Sequence, residues 1–130
     1  MAPIRLFADS FNKGDLKAAA AAFSPTGVVI IDEVSPHVWV GPDALENWSK
    51  ALASSNTDQV ATNGKPTRVV VSGDRGYVVL PVVYTYKAKG VAMREAAQMV
   101  CTLQKGTGGW QINGYAWVGT TPKPVAGNAK

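Results

Sequence analysis

The stretch Val28–Trp48, VVIIDEVSPHVWVGPDALENW, decides the fold. Its β-branched run Val28 to Ile31 predicts a strand reaching Asp32. Both faces of that run are apolar, so the strand is expected to be covered on both sides. Glu33 to Val40 reads as a loop, and Gly41-Pro42-Asp43 opens a helix with proline in its first turn. Leu45, Trp48 and Leu52 make the apolar side of this helix, while Asp43 and Glu46 near its start and Lys50 near its end suit the helix dipole. A strand that ends in two acids, with His37, Trp39 and Trp48 close behind, has two readings. It is the mouth of a small-molecule pocket, or it is only a strand, a wet loop and a capped helix.

On the N-terminal side, Ile4, Phe7, Ala8 and Phe11 follow helical spacing behind Pro3 and form one apolar stripe. Gly14 suits the left-handed residue that ends a helix, and Asp15 can cap the next. That alanine-rich second helix, Leu16 to Phe23, stops at Ser24-Pro25. On the C-terminal side, residues 66–72, 77–88, 91–104 and 110–118 predict strands. The short connections SGDRG, KAKG and QKGTGG between them are hairpin turns. GTGG precedes a strand, not a helix, so it is a turn and not a dinucleotide loop. Helices first and a long antiparallel meander after them is an α+β layout, with the helices covering one face of a curved sheet. Residues 1–118 are expected to form one domain, and the core-free stretch 119–130 a flexible tail.

Composition narrows the function classes. With 130 residues, 46% hydrophobic and 17% charged, the chain suits a globular domain rather than a disordered one. Its apolar runs are strand-length, so no membrane span is expected. The net charge of +4 is scattered, which argues against a nucleic-acid face. A single cysteine, Cys101 in the apolar MVCTL, reads as a core residue, and one histidine leaves little for a transition-metal site. No phosphate loop, nucleophile elbow, zinc helix or haem motif is present, so no cofactor and no metal are expected. No signal-peptide pattern precedes the first helix, which makes a cytoplasmic location the default. A periplasmic or secreted location follows if a leader has been removed.

The pieces FNKGDL, VVIIDE, VWVGPDALENW and GWQINGYAWV, in this order, resemble the NTF2-like superfamily and its SnoaL-like branch. The resemblance runs from about Ile4 to Val118 and implies a cone: N-terminal helices packed on a strongly curved antiparallel sheet around a hollow. It implies little about activity, because this fold hosts isomerases, dehydratases, epoxide hydrolases, cyclases and non-catalytic modules. In ketosteroid-isomerase-like members an acid late in the first strand shuttles a proton, and Asp32 stands at that position. The enolate donors of those enzymes match Phe7 and the Ala97/Gln98 region here, where Phe7 and Ala97 have nothing to donate. Steroid-type isomerisation is therefore disfavoured.

Two candidate catalytic residues follow. Asp32 is a pocket base or, equally, a solvated acid at a strand end, and His37 either folds back over it or stays exposed. Glu33 is expected to face solvent by alternation. Phe7, Phe11, Trp39, Trp48, Tyr86, Ala97 and Met99 are the candidate ligand contacts, for an apolar or aromatic small molecule. Alternation also places Gln111, Asn113, Tyr115 and Trp117 together on the outer face of the last strand, a mixture suited to a homodimer formed sheet to sheet.

Overall fold

A computed structural model describes residues 2–125. Helix α1 (Ala2–Lys13) and the short α2 (Leu16–Ala20) come first, then strands β1 (Val28–Ile31) and β2 (Val38–Gly41) and helix α3 (Ala44–Ala53). Strands β3 (Thr57–Asn63), β4 (Arg68–Ser72), β5 (Arg75–Ala88), β6 (Val91–Gly106), β7 (Gly109–Val118) and β8 (Lys123–Pro124) follow. They form one curved sheet in the order β2-β1-β7-β6-β5-β3, with β4 on β5 and β8 on β6. The α+β cone is the architecture that the sequence predicts. Among the described residues no helix is long and apolar enough to cross a membrane.

Local chemistry explains the helix ends. Gly14 takes φ +70°, and Asp15 accepts from the Ala18 amide at 3.0 Å, capping α2. On α1 the stripe is buried, with Ile4 1% and Phe7 5% exposed, and on α3 Leu45, Trp48 and Leu52 lie under the sheet. Asp43 makes no side-chain cap bond, while Glu46 pairs with Lys50 one turn on.

The sheet departs from expectation in its pairing, in its strand content and in its coverage. It is mixed, because β1 runs parallel to β7 while its other pairings are antiparallel. A parallel pair needs a long connection, and everything between Asp32 and Gly108 supplies it. Second, VWVG is a strand: β2 pairs with β1, so its alternation outweighs the loop character of SPH. The polar β3 on the sheet edge was also not expected. Third, β1 is covered on one face only. Val28 and Ile30 are buried, whereas Val29 is 40% and Ile31 49% exposed.

One irregularity matters for the site. Thr102 pairs with Gly114 but Leu103 pairs with Ile112, so Asn113 bulges out of β7. Thr102 fills the place a Gly114 side chain would need, and its hydroxyl donates to Asn113 Oδ1 at 2.7 Å. Past the bulge the alternation inverts. Gln111 and Asn113 stay outside, but Tyr115 and Trp117 turn into the cone, which corrects the outer-face assignment of those two rings. Residues 119–125 run beside β6, with Thr120 and Val125 bonded to Ala96 and Ala92. The rest of the expected tail, 126–130, lies outside the described residues.

Candidate functional site

The concave face of the sheet, α1 and α3 enclose a cavity of about 320 Å³, large enough for a small organic molecule. Its position follows from alternation. On β1, Val28 and Ile30 point into the cone and Asp32 continues the same parity one residue past the strand, 8% exposed. On β6, Glu95 shares the inner face with Met99 and is 2% exposed. Tyr84 and Tyr86 of β5 stack at 4.6 Å, and Trp117 meets Tyr84 edge-on at 5.8 Å. Phe7 lies between Trp48 and Tyr115, with ring centroids at 5.9 and 5.4 Å.

Asp32 is held by both oxygens. Trp48 Nε1 donates to Oδ2 at 2.8 Å and the Glu33 amide to Oδ1 at 2.6 Å. Burial lifts its pKa above the ordinary aspartate value, and these donors oppose that shift without cancelling it. The carboxyl is thus fixed in direction and made a better base than a solvated aspartate.

A second acid site stands at the rim. Glu33 is exposed, as expected, and because the chain turns after Asp32 its carboxyl also reaches the cavity rim. Trp117 Nε1 donates to Glu33 Oε1 at 3.1 Å and to Glu95 Oε2 at 3.0 Å, and the Thr120 amide adds a 3.0 Å bond to Glu95. A side chain at Gly119 would fall 2.5 Å from Glu95 Oε2 and onto the Glu33 carboxyl, so glycine lets the chain pass over both acids. Burial of its carboxyl end, then the hydrogen bond and charge of Glu95, lift the Glu33 pKa to about 7.

Of the sequence candidates, Asp32, Phe7, Phe11, Trp48, Tyr86 and Met99 line the cavity. Trp39 and Ala97 do not: Trp39 packs opposite Ile30 in the main core, and Ala97 is buried beneath the sheet surface. His37 is exposed and meets the main-chain oxygen of Asp32 at 3.3 Å, not its carboxyl. Tyr84, which also lines the cavity, is already engaged: it donates to Gln59 Oε1 at 2.7 Å and accepts from Asn56 Nδ2 at 3.0 Å. Sequence reasoning missed Glu95, although strand parity with Ala97 and Met99 signals it. It also missed Tyr115 and Trp117, which no periodicity signals because the bulge hides them. Among the described residues no group of three ligating side chains is arranged to hold a metal ion.

No curated protein sequence matches the chain. Solved structures do. A ketosteroid isomerase-like protein from Erwinia carotovora atroseptica superposes with TM-score 0.77 at 23% identity, over 93% of this chain and 93% of that one. A hexachlorocyclohexane dehydrochlorinase of type 3 from Novosphingobium barchaimii gives TM-score 0.82 at 15% identity, over 97% of this chain and 90% of that one. At such identities the likeness is one of fold. The SnoaL-like domain family matches residues 4–112, nearly the whole helical layer and most of the sheet, and the chain belongs to that family.

Proposed function

We propose that the cone binds an apolar, aromatic small molecule and that Asp32 removes a proton from it. The carrying observation is a buried carboxylate, oriented by Trp48 and the Glu33 amide, opening into an aromatic-lined cavity. A solvated acid in a filled cone would have supported a non-catalytic module instead. The chemistry is isomerase- or lyase-like and uses only the chain's own groups: Asp32 takes the proton, the aromatic wall positions the ring, and the dry surroundings keep the base strong. The probe is 5-nitrobenzisoxazole, an uncharged aromatic bicycle. A base takes its ring C–H proton, the electron pair forms a nitrile, and the N–O bond breaks to a coloured phenolate. Turnover well above that given by an equal concentration of acetate supports the reading, and acceleration no greater than acetate's contradicts it.

The outer sheet face supports a second, independent part of the proposal, a homodimer. Register sets Val29 opposite Val40 and Ile31 opposite Val38, and these side chains are 40–71% exposed as one apolar patch on β1 and β2. The dimer face therefore lies on these strands beside Gln111 and Asn113, without Tyr115 and Trp117. Sedimentation at micromolar concentration is expected to give a dimer for the wild type and a monomer for Val40→Lys. A wild-type monomer removes the dimer.

A further inference from the structure

The cavity is one-sided in charge. Asp32, Glu33 and Glu95 all line it, and among the described residues no lysine, arginine or histidine does. The rings beside these acids act in the same sense. Tyr84, Tyr86 and Trp117 present aromatic surface near the acids, and the quadrupole of such surface attracts cations and repels anions.

A further observation is independent of the acids. Tyr115 is only 6% exposed, and its hydroxyl has no hydrogen-bond partner among the described residues. Yet among the described residues no side-chain nitrogen or oxygen sealed away from solvent lacks a partner. The Tyr115 hydroxyl therefore opens onto the cavity that its ring lines, with its lone pairs free to accept. A neutral apolar ligand would leave this oxygen and the carboxyls desolvated with nothing in exchange, whereas an ammonium brings three donors and the opposite charge.

Resting on the small-molecule reading above, we propose that the cavity selects ligands that join a flat aromatic body to a protonated amine. The ammonium is taken up by the wall carboxyls and the Tyr115 hydroxyl, while the aromatic body lies against the packed rings of Phe7, Phe11 and Trp48 on the cavity wall. Carboxylate-bearing aromatics are excluded by the same charges.

The test titrates the protein at pH 7 with three naphthalene probes of nearly equal size: 1-naphthylmethylamine, 1-naphthalenemethanol and 1-naphthoate. Calorimetry is expected to show the amine binding at least about tenfold more tightly than the alcohol, and no saturable binding of the naphthoate. Because either rim carboxyl alone can still accept from the ammonium, the variant is the double one, Glu33→Gln with Glu95→Gln. It should lose most of the amine advantage and keep its alcohol affinity within about twofold. Equal binding of amine and alcohol by the wild type, a preference for naphthoate, or an amine advantage untouched in the folded double variant overturns the inference. Should the double variant fail to fold, the wild-type ranking of the three probes decides alone. Binding of none of the three overturns the cavity reading as well, whereas alcohol binding without amine preference overturns only this inference.

Discussion

Asp32→Asn is expected to lower kcat/KM for 5-nitrobenzisoxazole by about 100-fold or more, the range that a positioned general base contributes. Asparagine has nearly the same shape and fills the same space, so the cavity walls stay in place. It cannot act as the base. It also has a single acceptor oxygen where Asp32 uses both, one for Trp48 Nε1 and one for the Glu33 amide. One of these donors therefore loses its partner, which costs about 1–3 kcal/mol. Relief from burying a charge offsets part of that cost. The variant should consequently fold, with thermal unfolding as the control. The pH dependence has a definite sign. A base works when deprotonated, and burial has raised the Asp32 pKa, so wild-type kcat/KM rises with pH through that raised value and then levels off. The residual rate of the asparagine variant should lack this rise. A loss smaller than about tenfold, well below what a positioned base contributes, would place the proton transfer elsewhere.

The second large effect is on stability. Ile112 is 0% exposed, and its main chain ties the end of the helical layer to the sheet: its amide donates to Ala22 and its carbonyl accepts from Ser24, both at 2.8 Å. Ile112→Ala leaves those bonds intact and empties the space beside Leu103 and Phe23. Lost burial and the residual cavity together should cost about 3–4 kcal/mol. For a domain of this size that lowers the melting temperature by roughly 10 °C or more, which calorimetry would read directly. A change below about 1 kcal/mol would mean that the sheet and helices close over the gap, and that packing at this seam is not what the structure shows.

Helices and long strands were legible because their signals are local. The α1 stripe, the Asp15 cap, the Leu45/Trp48/Leu52 side of α3 and the hairpin glycines each need only a few neighbouring residues, and they stand where the periodicity puts them. Asp32 was legible through the family resemblance, which puts an acid at the end of the first strand; the residues alone left pocket and solvent equally open. What failed depended on distant partners. The β1 outer face carries valine and isoleucine, but whether anything covers them is decided by the layer outside the sheet. The polar TDQVATN is a strand because β5 offers it an edge, and nothing in its own composition marks it. The bulge at Asn113 is the most consequential case. One extra residue reverses which rings face inward, moving Tyr115 and Trp117 from the expected outer surface into the cavity wall. Glu33 is exposed as alternation predicts, but the turn after Asp32, which alternation does not describe, also brings its carboxyl to the cavity rim. Glu95 is different: strand parity with Ala97 and Met99 by itself puts this acid on the inner face of β6.

The most direct measurement is a crystal structure of the protein soaked with 6-nitrobenzotriazole, which presents an N–H where 5-nitrobenzisoxazole presents its reactive C–H. The ligand is expected inside the cone between α1 and the inner sheet face, with that N–H donating to an Asp32 carboxylate oxygen. A ligand found on the outer face of the sheet, or held in the cone with its N–H turned away from Asp32, would contradict the account.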